Sequence, residues 1–166
     1  MRCYPMTGTE VISWYDINGM DLSPHEYRAL ADFRYQIRRY LHFSEEQART
    51  HELEPQQHQL LLAIKGLPEG KRATIGELAS RLQLKHHSMV ELVDRLEKHG
   101  YVNRTSSADD RRQVIVHLTR SGAGVLRSLS LAHRRELDSA GPALATALRC
   151  LRRARGNGSK TRRSAA

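Results

Sequence analysis

The residues best suited to chemistry lie in one short stretch. His86, His87, Ser88, Glu91 and Arg95 fall opposite an apolar set of Leu84, Met89, Leu92, Val93 and Leu96, read at helical spacing. Their chemistry is hydrogen bonding rather than bond making. Imidazoles donate to guanine N7 and O6 or to phosphate, Ser88 can contact either, and a carboxylate such as Glu91 accepts from a cytosine amino group. Arg95 stands one turn from Glu91, within reach of a phosphate or of that carboxylate. A second set, Asp110, Arg111 and Arg112, occupies a polar turn. Arginine on a slender hairpin suits a narrow minor groove, where negative potential is strongest; an internal Asp110–Arg112 ion pair is the alternative. Arg72, Thr74 and Lys85 sit near helix starts, where free backbone N–H groups favour phosphate. Together these sets suit a nucleic acid, against the alternative of ordinary solvated faces.

Other chemistries find little footing. Nine histidines invite a metal, yet none falls in HExxH, in HxH with a carboxylate, or in a Cys/His cluster. His86 and His87 are adjacent and so point in different directions on a helix. His51, His58 and His133 could meet only through the fold. No nucleophile–base arrangement or phosphate loop is present, so no enzyme, metal or cofactor is expected. Cys3 and Cys150, near opposite ends, make neither a disulfide framework nor a CxxC pair.

Net charge needs locating before it is used. The chain of 166 residues carries a formal +9. Arg149, Arg152, Arg153, Arg155, Lys160, Arg162 and Arg163 follow the last acid, Asp138, and without them 20 of the 27 basic residues face 18 acidic ones. The excess belongs to the tail, and a terminal basic run is commonly a solvated end. No apolar run spans a bilayer and no apolar block near the N-terminus resembles a signal peptide, so a soluble, cytoplasmic protein without membrane contact is expected.

The elements that must position these residues can be read in order. Residues 1–22 show no period and form an extension; Met20, just before the first cap, is a candidate start that would make 1–19 an upstream segment. Ser23-Pro24-His25-Glu26 is a capping box opening a helix of about 24–48, with Leu30, Phe33, Ile37, Tyr40 and Leu41 as its stripe. Such a stripe needs a cover, and a partner chain is one. A buried helix follows at about 55–65, then a Gly/Pro loop at 66–70. Thr74-Ile75-Gly76-Glu77 caps a short helix to about Leu82, and a further helix runs from about Lys85 to His99, closed by Gly100. Two short helices with so brief a turn are a helix-turn-helix. If Gln83 in that turn is left-handed, it costs roughly 1 kcal/mol more than Gly. The period then changes: Tyr101–Arg104 and Val114–Leu118 read as hairpin strands, a wing. Thr119 caps a helix of about 120–139, and Gly141-Pro142 precedes a last one at about 142–154. The fold class is mainly α with a small β-hairpin wing (α+β). Its parts are 1–22 extension, 23–54 N-terminal dimerisation helix, 55–119 winged helix-turn-helix, 120–154 C-terminal dimerisation helices and 155–166 basic disordered tail.

The blocks Ile75-Gly76-Glu77-Leu78-Ala79, Leu92-Val93-Asp94-Arg95-Leu96-Glu97-Lys98-His99-Gly100-Tyr101-Val102 and Asp110-Arg111-Arg112-Gln113-Val114-Ile115-Val116-His117-Leu118-Thr119 resemble the MarR family of bacterial regulators, over roughly 24–140. The resemblance implies an obligate homodimer with interleaved first and last helices. It implies binding of double-stranded DNA at a palindromic operator, usually as a repressor released by a small aromatic or lipophilic ligand or by oxidants. In the family's Asp-x-Arg pattern Asp110 braces the arginine and Arg112 enters the minor groove. Glu91 departs from the basic or neutral residue of many members. Redox-sensing members carry a cysteine in the first long helix; Cys3 and Cys150 match neither place. A ligand pocket would lie between the dimer base and the DNA-binding lobe, with Tyr40, Phe43, His58 and Leu62 the residues to examine, or simply core. A ligand-independent, architectural DNA-binding protein helped by its basic tail is the competing reading.

Overall fold

A computed structural model describes residues 22–106 and 113–157, with side chains as far as Arg153. In order they form α1 (Pro24–Thr50), α2 (Pro55–Lys65), α3 (Ile75–Leu82), α4 (His86–Lys98), β1 (Val102–Ser106), β2 (Val114–Leu118) and α5 (Arg120–Asn157). The mainly helical fold with a two-stranded antiparallel hairpin agrees with the sequence reading. The described residues divide into two compact units, one of 39–141 and a second of 22–38 with 142–157.

In the larger unit the apolar stripes meet as their spacing requires. Leu60 and Leu61 of α2, Leu78 of α3, Met89, Val93 and Leu96 of α4, Val102, Val116 and Leu129 are all essentially inaccessible to solvent. Each such side chain contributes roughly 1.5–3 kcal/mol by leaving water, so this core sets the spacing of α3, α4 and the hairpin. Strand register pairs Val102 with Leu118 and Ser106 with Val114. Val116 N–H also donates to the Ala73 carbonyl at 2.9 Å, and Thr74 bridges Ile115. The segment entering α3 is thereby tied to the wing's return strand.

Caps decide where helices begin. Ser23 and Glu26 make the reciprocal box: Ser23 N–H donates to Glu26 Oε2 at 2.7 Å and Glu26 N–H to Ser23 Oγ at 3.3 Å. The Ser23 backbone N–H, and then its hydroxyl, which donates to the same oxygen at 2.9 Å, hold the Glu26 carboxyl below its ordinary range. At α3 the Thr74-Ile75-Gly76-Glu77 cap makes one of the two bonds of such a box. Thr74 Oγ1 accepts from Glu77 N–H at 3.2 Å, while the Glu77 carboxylate turns to Arg81 at 3.0 Å and Lys71 at 3.5 Å. Gln83 does adopt the left-handed conformation, φ 54° and ψ 40°. Its N–H and that of Leu84 close the last turn of α3, the latter onto Ala79 O at 2.9 Å.

The end of the chain differs from expectation. One helix, α5, runs through Gly141 and Pro142, where two helices were expected at 120–139 and 142–154. Proline deletes one N–H and crowds the carbonyl four residues earlier, a local cost that long flanking helical runs offset. The N-terminus of α5 is capped by Thr119, as its sequence suggested, and is locked further by bonds to Gly100 and Tyr101 that local spacing does not announce. Thr119 Oγ1 donates to Gly100 O at 2.7 Å and accepts from Gly122 N–H at 3.0 Å, while Thr119 N–H donates to Tyr101 O at 3.0 Å. A Cβ on Gly122 would lie 2.0 Å from that Tyr101 oxygen, so the position admits glycine alone without a shift.

In the smaller unit, Ala29 and Ala147 are buried while Tyr27, Tyr35 and Leu148 are exposed. Among the described residues no helix is long and apolar enough to cross a membrane.

Candidate nucleic-acid interface

Helix α4 begins the interface because its first turn is open. Its N-cap, Lys85, is extended (φ −70°, ψ 151°) and makes no side-chain capping bond. The first N–H groups of such a helix, together with the positive end of its dipole, favour an anion. His86 and His87 are exposed here and Ser88 is half-buried; Glu91 and Arg95 are exposed one and two turns on. Met89, Leu92, Val93 and Leu96 bury the opposite face, as their spacing predicted. His86 shares a groove of about 480 Å³ with Thr74 and Gly76 at the start of α3, Arg104 of β1 and Gln113 before β2. The helix-turn-helix and the wing therefore converge on one concave surface. Thr74 Oγ1 accepts a capping bond there, which leaves its hydroxyl proton able to donate outward. Arg72 is exposed in the strand-like segment just before it.

Arg95 does not pair with Glu91. Its Nη1 lies 3.3 Å from Glu54 Oε2, at the N-terminal end of α2. Both side chains are more than half exposed, so the pair contributes little and leaves Arg95 able to exchange partners. Asp110, Arg111 and Arg112 fall outside the described residues.

Arg104 was not singled out from sequence. From β1 its guanidinium reaches Asp94 Oδ1, Glu97 Oε2 at 3.2 Å and the Val90 carbonyl at 3.3 Å, all on α4. Asp94 and Glu97 stand three residues apart on one side of α4, a spacing legible in the sequence, but no rule of local order joins them to an arginine seven residues downstream.

The four residues considered for a ligand pocket gather in the larger unit. Tyr40, His58 and Leu62 line a cavity of about 520 Å³ whose walls also include Ser44, His133 and Leu137. Phe43 stacks edge-on against His133, ring centres 5.6 Å apart, rather than lining the space. His133 Nδ1 lies 2.6 Å from Leu129 O and Nε2 2.8 Å from Ser44 Oγ. A carbonyl only accepts, so Nδ1 donates to it, while the serine hydroxyl can serve Nε2 as donor or acceptor. His58 sits 4.7 Å from His133, ring to ring, and its buried Nδ1 has no hydrogen-bond partner. Burial, and secondarily the neighbouring imidazole, push its pKa down to about 4. Burial also raises the Tyr40 phenol. His51 stays apart, its Nε2 3.3 Å from Ser128 Oγ, and no three metal-ligating side chains cluster among the described residues.

Comparisons with known proteins fit this architecture. Residues 51–113 match the model of the MarR family. The HTH-type transcriptional regulator PapX of Escherichia coli is 34% identical over 73 residues, 44% of this chain and 44% of PapX. The matched segment thus spans less than half of that relative's length. Among solved structures, AbsC, a MarR family transcriptional regulator from Streptomyces coelicolor, superposes with a TM-score of 0.57 at 20% identity, covering 83% of this chain and 82% of AbsC. A mutant of MarR from E. coli, complexed with operator DNA, superposes with a TM-score of 0.57 at 21% identity, covering 72% and 88%. At those identities the structural likeness establishes the fold.

Proposed function

We infer that this chain is a member of the MarR family, whose model residues 51–113 match, and that it is a DNA-binding transcriptional regulator, acting as a homodimeric repressor of a palindromic operator. The observation that carries this reading is the groove shared by His86, Thr74, Arg104 and Gln113, which opens beside the uncapped N-terminus of α4. A helix of this kind enters the major groove with its N-terminal residues on base edges. His86, His87, Ser88 and Glu91 then read bases, while Arg72, Thr74, Lys85 and Arg95 hold phosphates. On this reading Arg112, braced by Asp110 and beside Arg111 on the wing, is the residue that enters the minor groove.

Exposed apolar side chains support the dimer. Tyr27, Tyr35 and Leu41 on α1, and Leu131, Leu137 and Leu148 on α5, are each more than two-fifths open to solvent. A second copy of the chain is the cover they fit, and a two-fold dimer matches a palindrome. The cavity beside His58 supports ligand control. It offers mainly apolar walls with a few polar side chains, among them His58, Ser44 and His133, the composition of a small-molecule site. A ligand there relieves repression only by favouring a conformation with the wrong half-site spacing.

Gel-shift competition tests the reading. The protein should prefer the palindrome upstream of its own gene over unrelated duplex by a factor on the order of 10³ or more. Arg112→Ala should weaken that complex and leave the dimer intact. Equal affinity for both duplexes would remove the repressor and leave a ligand-independent architectural protein, the reading that the acid-free C-terminal segment favours.

A further inference from the structure

The C-terminal part of α5 carries a charge arrangement that the helix itself does not need. Arg149, Arg152 and Arg153 are all exposed, stand at i, i+3 and i+4, and together line a hollow of about 310 Å³. No Asp or Glu follows Asp138, so no acid on the following turns answers them. A solvated helix face kept for stability mixes signs at this spacing, whereas like charges there oppose the helix. Nor do the three serve the helix dipole, because α5 continues to Asn157 and all stand before its last turn. Arg149 Nη2 donates to Thr146 Oγ1 at 2.8 Å, which uses one of its five N–H donors.

We propose that this arginine face is a second nucleic-acid contact, taking the sugar–phosphate backbone of DNA without regard to sequence. Guanidinium forks match phosphate oxygens in pairs, and a strand offers a row of them. The choice of DNA rests on the proposed regulatory function: a chain that holds a duplex elsewhere keeps phosphate at high local concentration around its other cationic faces.

The test uses the full chain and a mixed-sequence duplex lacking the palindrome, titrated by fluorescence anisotropy from about 50 to 200 mM salt. The Arg149→Gln/Arg152→Gln/Arg153→Gln variant should lower the slope of log K against log salt by about 2–3, near 0.9 for each phosphate released. A triple lysine variant should recover most of that slope. An unchanged slope in a variant of normal helicity overturns the proposal. So does an unchanged slope accompanied by lost binding to phosphatidylglycerol vesicles, which assigns the face to a lipid surface. If the triple variant misfolds, Arg152→Gln alone, expected to lower the slope by about 1, decides the matter. Palindrome preference with an unchanged slope refutes this inference and spares the regulatory reading. A reduced slope without palindrome preference does the reverse.

Discussion

Glu97 grips Arg104 at two points: its Oε1 accepts the arginine backbone N–H at 3.1 Å, and its Oε2 lies 3.2 Å from Nη1. The first wing strand is thus oriented on α4 by a carboxylate as well as by apolar packing. Arg104→Met keeps much of the stem and removes the fork. Asp94 and Glu97 are partly exposed, so the stability lost should be only about 1 kcal/mol. Operator affinity should fall further, about tenfold, the equivalent of 1.4 kcal/mol. Urea denaturation and gel shift read the two separately; undiminished affinity would reduce Arg104 to an ordinary ion pair.

The close approach at Gly122 makes a second prediction. A methyl group 2.0 Å from Tyr101 O must push either the start of α5 or the turn between α4 and β1 aside. Gly122→Ala should therefore destabilise by roughly 1–3 kcal/mol, the range for overpacking, although alanine is the better helix former. Gly124, four residues into the same helix, has nothing within 4 Å of a built Cβ. Gly124→Ala should be neutral or stabilising by up to about 1 kcal/mol. Equal effects of the two substitutions in urea melts would refute the contact.

Gln83 offers the opposite sign. It holds a left-handed conformation at φ 54° between α3 and α4, where the Cβ meets a steric penalty that glycine escapes. Gln83→Gly should raise stability by about 1 kcal/mol or less, since glycine also loses more freedom on folding. The turn keeps its geometry, so DNA affinity should not change. A fall in the denaturation midpoint would show that Gln83 makes a compensating interaction.

These three sites show which parts of the molecule a sequence discloses. Periodicity placed α2, α3, α4 and the hairpin because a stripe such as Met89, Leu92, Val93 and Leu96 reflects helical spacing alone. The turn strain at Gln83 was legible for the same reason, being local. Gly122 and Arg104 were not, since each depends on an oxygen supplied by another element: Tyr101 O in one case, Glu97 in the other. Pro142 misled in the other direction, because a punctuation rule weighs one residue while the helix weighs a whole run. In the cavity, the family resemblance pointed to Tyr40, His58 and Leu62 by position, but placing His133 opposite required the path of α5.

That cavity carries the last prediction. His58 titrates near 4 in the folded chain, against an ordinary value near 6.5, first because burial penalises its charge and second because His133 faces it. Tyr40 on α1 and Arg134 and Asp138 on α5 are the other ionisable side chains that line the cavity. Between those two pH values the unfolded chain binds the proton that the folded chain refuses. Unfolding then takes up protons, so stability is full above about pH 6.5 and is lost as pH falls toward 4. A shift of this size corresponds to about 3 kcal/mol at the acid end. His58→Phe removes the titrating group together with its unpartnered Nδ1, while keeping a ring beside His133. Its stability at pH 7 should equal or exceed that of the parent, and its loss between pH 6.5 and 4.5 should be smaller by about 1–3 kcal/mol. Urea denaturation at half-unit intervals reads both curves. Parallel curves would mean that His58 charges freely in the folded state, and that the cavity admits water.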